Sequence, residues 1–169
     1  KNLARGGTAV QSSLYGNGVA GRAIDGNRAH ICTRTKRQYR PWWRLDLLKR
    51  YEVNTVVITS NSKDCCLERI SEAQIRIGDS LHDNGNINPV CAVISSIPAG
   101  ASQTFKCNGM EGRYVNIVVP KWKEHLTLCE VEGGVLEDFS KESHAFSVNM
   151  NMIVEVLMSD ALEMYYVHI

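Results

Sequence analysis

The chain has 169 residues, 44% of them hydrophobic and 22% charged, with a formal net charge of +1. That length holds one domain with an appendage, or one larger domain, and the apolar content suffices for a packed core. A near-neutral balance argues against bulk nucleic-acid binding, and no apolar run reaches the length of a membrane span.

Taken in chain order, the sequence begins at Lys1 with no methionine, no basic-plus-apolar leader and no cleavage site. That is the start expected of a mature secreted form or of a trimmed one. A basic run, "RTKRQYR" (34–40), places Arg34, Lys36, Arg37 and Arg40 together with no acid among them. Short β-rich stretches follow: "WWRLDLL" (42–48), "VNTVVITS" (53–60), "AQIRIGD" (73–79), "PVCAVISSI" (89–97), "RYVNIVVP" (113–120) and "LTLCEVEGGVL" (126–136). Several alternate, so that Ile75 and Ile77 face one side with Arg76 and Gly78 on the other. Turn signals such as "DNGN" (83–86) and "CNGM" (107–110) lie between them. Many short strands at this spacing predict an all-β sandwich or jelly roll, and nothing alternates with long helices as an α/β fold requires.

The last 33 residues differ in character. "EDFSKESH" (137–144) reads as a polar linker. Beyond it Met150, Ile153, Val154, Leu157, Met158, Ala161, Leu162 and Tyr165 recur at helical spacing, which predicts an amphipathic helix. A helix packed on its own domain, a disordered tail and a helix for self-association all fit that pattern.

Six cysteines, Cys32, Cys65, Cys66, Cys91, Cys107 and Cys129, form an even set without C-x-x-C or zinc-finger spacing. Disulfides formed in an oxidising compartment account for them, although six cysteines allow fifteen pairings and spacing selects none. No G-x-S-x-G elbow, H-E-x-x-H or P-loop occurs, and His30, His82, His125, His144 and His168 are scattered. No constellation supports an enzyme.

An ordered series of segments resembles the F-type lectins, the fucolectin family. The series runs "NLARGGTAVQSS" (2–13), "AIDGN" (23–27), "PWWRLDLLKRYEVNTVVIT" (41–59), "DCCLERI" (64–70), "AQIRIGDSLHDNGNINPVC" (73–91), "GRYV" (112–115) and "LTLCEVEGGV" (126–135). The resemblance covers residues 2 to 136 and implies a discoidin-like jelly-roll β-sandwich. It divides the chain into a lectin domain at 1–136 and an appendage at 137–169. It also implies a bond between the adjacent Cys65 and Cys66, leaving the pairs Cys32–Cys129 and Cys91–Cys107. Successive Cα atoms lie about 3.8 Å apart, shorter than the usual disulfide range of about 4.4–6.8 Å, so such a ring is strained and stiff and offers a flat apolar patch to one face of a sugar.

The family recognises fucose with a histidine and two arginines, in the pattern H-x26-R-x-D-x4-R. "DCCLER" keeps the second half, with Asp64 to orient the loop and Arg69 to donate to hydroxyls. In the first arginine's place stands Ser62, or Asn61 if one insertion is allowed, with Lys63 beside it. The histidine's place falls on Arg34 counting from Cys32, and on Thr35 counting from Ser62. The resemblance thus implies a remodelled carbohydrate site of Arg34, Lys63, Asp64, Cys65, Cys66 and Arg69. It also implies Ca2+ near the same rim, a hard cation that takes six to eight oxygen ligands. Asp25 and Glu130 would bind it by side chain, and Arg22, Asn27 and Cys129 by carbonyl.

The function expected is a secreted, calcium-stabilised lectin for terminal L-fucose or a related glycan, serving innate-immune recognition or agglutination. The alternative keeps the fold and binds anionic glycans or a protein partner after loss of the fucose site, because Arg34 lies in the basic run. Expected partners are glycans and, by the resemblance, further copies in a homo-oligomer such as a trimer, with no nucleic acid and no membrane insertion.

Overall fold

A computed structural model of the protein describes residues 1–28 and 31–135, with only the backbone of Asp64 and Cys65. The chain divides into two units, Lys1–Leu136 and Glu137–Ile169. The polar linker and the helical periodicity of residues 137–169 lie outside the described residues.

The first unit is all-β, with eight strands: β1 (Thr8–Gln11), β2 (Gln38–Tyr39), β3 (Trp42–Thr59), β4 (Gln74–Gly78), β5 (Val90–Val93), β6 (Ser102–Val118), β7 (Lys123–Glu124) and β8 (Glu130–Gly134). Every pairing is antiparallel. Short 3-10 turns supply the helical content among the described residues.

Two long strands, β3 and β6, belong to both layers of a sandwich. Residues 42–46 of β3 pair with β1 on one side and with residues 114–118 of β6 on the other, and β4 and β5 complete a five-stranded layer. Residues 55–59 of β3 pair with residues 102–106 of β6 and with β8, forming a three-stranded layer. The sequence separates "WWRLDLL" from "VNTVVITS", and the chain does bend there, at Leu48 (φ +70°), yet pairing with β6 resumes at Tyr51.

A second irregularity corrects another expectation. "CNGM" reads as a turn between strands but lies inside β6. Asn108 (φ +52°) and Gly109 (φ +75°) take the turn-like backbone, and the register slips between Val53 and Thr55, so the signal marks a bulge. One consequence is a change of parity. Trp43, Leu45, Leu47 and Val53 face inward before the slip, Val56 and Ile58 after it. The strands expected at 89–97 and 126–136 are shorter, at Val90–Val93 and Glu130–Gly134.

Both layers feed one buried cluster. Trp43, Leu45, Ile75, Ile77, Val115 and Ile117 come from the five-stranded layer, and Val56, Ile58, Phe105 and Val131 from the other. Trp43 is fully buried and its Nε1 donates to the Ala20 carbonyl at 3.0 Å, so the indole's one polar group is satisfied. The Cys91–Cys107 disulfide joins β5 to β6. At the far end of the three-stranded layer, Thr59 lies opposite both Ser102 and Glu130. The loops that leave this end build the site.

Candidate functional site

Four stretches of chain meet there: residues 31–35, the loop 60–63, the 3-10 helix Asp64–Ile70, and residues 126–129. Residues 33–35 run antiparallel to 126–128. Thr33 N donates to the Leu128 carbonyl (2.8 Å) and Thr35 N to that of Leu126 (3.1 Å). In return the Leu128 and Leu126 amides donate to the hydroxyls of Thr33 (3.0 Å) and Thr35 (2.8 Å). Both threonines are therefore turned inward, each 1% exposed, and Arg34 between them points the opposite way. The Cys32–Cys129 disulfide closes the base of this pair.

The facing wall is fixed by its own backbone bonds. Cys129 N donates to Thr59 O (3.1 Å), Ser60 N to Ala101 O (3.0 Å) and Gly100 N to Asn61 O (2.9 Å). Asn61 Oδ1 accepts from Lys63 N at 2.9 Å, a local turn that starts the 3-10 helix. Inside that helix Cys66 departs from helical geometry (φ −136°, ψ 15°).

Between these walls lies a cleft of about 490 Å³, lined by Cys32, Thr33, Arg34, Asn61, Ser62, Lys63, Cys66, Arg69 and Thr127. Of the sugar-binding residues read from the sequence, Arg34, Lys63, Cys66 and Arg69 meet here. The side chains of Asp64 and Cys65, and with them the expected Cys65–Cys66 bond, lie outside what is described. Arg34 rather than Thr35 faces the cleft, while Asn61 and Ser62 both line it.

Two lining residues, Thr33 and Thr127, escape the sequence reading. Alternation in "LTLCE" carries the signal for Thr127. Leu126 and Leu128 are fully buried in the core, so the residue between them faces the other way.

The Arg34 guanidinium carbon sits 4.1 Å from the centre of the Tyr15 ring, a cation–π contact. Tyr15 in turn packs edge-on against His125, with ring centres 5.6 Å apart. Arg34 Nε and Thr127 Oγ1 are buried without a hydrogen-bond partner. The rest of the basic run disperses: Arg40 pairs with Asp83 at 2.7 Å, and Lys36 and Arg37 are exposed.

The acids expected to hold calcium also converge. Gly26 N donates to both oxygens of Glu130 (3.1 and 3.2 Å), and Asn27 N donates to Asp25 Oδ1 (2.8 Å). Glu130 is 1% exposed, and burial pushes its pKa up to about 7. The Gly26 bond opposes that shift, the negative charges of Asp25 and Glu132 add to it, and Arg5 opposes it. Arg22 Nε donates to the Asn17 carbonyl (2.7 Å). Among the described residues no three acidic, histidine or cysteine side chains cluster as a metal cage. The residues nevertheless fit a cation bound largely by carbonyls, because Glu130 is a buried carboxylate beside a second acid with no ion-pair partner among the described residues.

Comparison with known proteins gives a consistent result. A family model described as "NedA-like, galactose-binding domain" matches residues 22–117. The chain is 48% identical to Fucolectin-1 of Anguilla japonica over 147 residues, covering 80% of this chain and 82% of that one. Among solved structures, a fucolectin from the serum of striped bass, Morone saxatilis, superposes with a TM-score of 0.76 at 56% identity, over 81% of this chain and 48% of that one. The chain thus spans about half the length of the striped bass protein. A fucose binding module of Streptococcus pneumoniae, SpX-3, superposes with a TM-score of 0.69 at 26% identity, over 81% of this chain and 99% of the module. These relatives are lectins and carbohydrate-binding modules, not enzymes.

Proposed function

The chain belongs to the F-type lectin, or fucolectin, family, and from that membership we propose that it is a secreted, calcium-stabilised lectin holding a terminal L-fucose or related saccharide in the cleft of Arg34, Cys66 and Arg69. Binding is reversible and involves no bond-making. The observation that carries this reading is the convergence of Arg34, Lys63, Cys66 and Arg69, drawn from two distant segments, on one cleft.

Guanidinium donors suit the work. An arginine presents several N–H groups in a fixed plane, so a sugar with hydroxyls in the right orientation satisfies them together, and one lacking a hydroxyl leaves a desolvated donor unpaired. Cys66, 7% exposed on the cleft wall, supplies apolar surface for a ring face. A bond from Cys66 to Cys65 would stiffen that surface. Calcium bound by Asp25 and Glu130, with the carbonyls of Arg22, Asn27 and Cys129, would neutralise the buried acid and tie the 22–27 turn to the start of β8. Self-association, a trimer by family resemblance, would raise the avidity of a single weak site.

Calorimetric titration with L-fucose, with and without a calcium chelator, tests the reading, with Arg69→Ala as the control. Heat that vanishes in the variant supports it. No heat with fucose, and no signal on a broad glycan array with calcium present, would overturn it.

A further inference from the structure

Arg34 and Thr127 are cross-strand neighbours. The bonds from Thr33 to Leu128 and from Thr35 to Leu126 set the register, and that register places Arg34 directly opposite Thr127. Both side chains lie on the cleft side of the pair, and each carries a buried polar atom with no partner: Nε of the arginine and Oγ1 of the threonine. Thr127 is 5% exposed. Leaving such groups unpaired costs about 1–3 kcal/mol each, so a ligand whose entry shifts these side chains and supplies the missing partner relieves that cost.

Among the described lining residues the charge is one-sided. Arg34, Lys63 and Arg69 line the cleft, none of them is ion-paired among the described residues, and no acidic side chain is among the described lining residues. The remaining wall is neutral, from Thr33, Asn61, Ser62 and Thr127. The Arg34 guanidinium lies over the Tyr15 ring, and its fork of N–H groups is of the kind that grips two oxygens of one anionic group.

We propose that this cleft selects a saccharide bearing an anionic oxygen group, a sulfate ester or a carboxylate, which is held by the paired Arg34 and Thr127. The inference rests on the lectin reading above and names the ligand class of the same site. A hydroxyl satisfies one donor at a time. An anionic group accepts from the arginine fork and the threonine hydroxyl together, and its charge is balanced by the neighbouring Lys63 and Arg69.

The experiment compares matched glycosides on the full chain with calcium present: methyl α-L-fucoside, its monosulfate esters, and a methyl glycoside of sialic acid. The panel is titrated at low and at physiological salt. Binding of a sulfated or carboxylated member at least about tenfold tighter than the neutral fucoside, and weakened by added salt, supports the proposal. Thr127→Val keeps the side-chain shape and Arg34→Lys keeps the charge without the fork. Each should lower affinity for the anionic member by about ten- to a hundredfold, with the unfolding midpoint of the unliganded protein no lower than the parent's. Equal affinity for neutral and anionic members overturns the proposal and leaves the lectin reading standing. Failure of every member to bind, with a glycan array also silent, overturns both.

Discussion

Cys32 and Cys129, 97 residues apart in sequence, are bonded at the point where the two strands of the cleft begin and end. Cys32 immediately precedes the Thr33–Leu128 bond, and Cys129 N donates to Thr59 O on β3. The disulfide therefore holds the Arg34 wall against the sandwich. Closing a loop of this length is worth about 4–5 kcal/mol in the chain-entropy model. Replacing both cysteines by serine should lower denaturant-unfolding stability by about that amount and weaken saccharide binding as well. A variant that loses stability but binds as tightly as the parent would show that the bond does not position the wall.

The adjacent cysteines make a second prediction. With Cys66 at 7% exposure on the cleft wall, a bond to Cys65 would place a rigid disulfide where a sugar face would rest. Mass mapping of the non-reduced protein should find the peptide with both residues two hydrogens lighter and free of any cross-link. Cys65→Ser with Cys66→Ser should then reduce saccharide affinity with little effect on the unfolding midpoint, since the two-residue ring closes no long loop. Either sulfur found as a thiol, or linked to another part of the chain, would remove this platform.

Much of this was legible in the residues, for reasons that differ from place to place. Alternation in "AQIRIGD" puts Ile75 and Ile77 inward because a pleated strand can do nothing else with them. "CNGM" misleads because Asn and Gly report only local backbone: they take positive φ in a bulge as readily as in a turn, and whether pairing resumes depends on a distant strand. In the site, the resemblance of "DCCLER" to the family motif picks out Arg69 and Cys66, which lie close together in sequence. Counting could not choose between Arg34 and Thr35, since that choice rests on hydrogen bonds to residues about 90 positions away. Alternation turns Thr127 away from the core, but its pairing with Arg34 was hidden for the same reason, because the two are neighbours only in the folded register.

Calcium should act as a folding ligand. Glu130, buried beside Asp25, holds an acid out of water with a backbone amide as its direct donor. A cation that binds only the folded chain at a hundred times its dissociation constant adds about 2.7 kcal/mol, a rise of roughly 5–10 °C in Tm for a domain of this size. Differential scanning calorimetry with calcium and with a chelator measures that difference directly. Glu130→Gln should abolish the rise while leaving the chelated protein no less stable, because the neutral amide is cheaper to bury. An unchanged calcium response in that variant would place the ion elsewhere or nowhere.

Asp46 offers a pH-dependent counterpart on the opposite side of the bend in β3. Arg113 on β6 donates to it through Nε (2.8 Å) and Nη2 (2.9 Å), and the Leu48 amide donates to Oδ1 at 2.7 Å. The Arg113 bond holds the Asp46 pKa below its usual value near 4. Burial works against it, and the Leu48 amide and the charges of Arg113 and Arg44 work with it. A folded pKa below the unfolded one means that the folded protein binds fewer protons between the two values. The stabilisation is therefore complete above about pH 4 and is lost as pH falls through the folded value. Asp46→Asn should lower Tm by a few degrees at pH 7, and the gap to the parent should narrow as both are taken below pH 4. Leu48 sits at φ +70°, where the Asp46 carboxylate anchors its amide, so part of the loss is geometric. That part persists in acid and the ionic part does not. Thermal unfolding of both proteins across pH 2–7 separates them, and a gap independent of pH would assign Asp46 to the bend alone.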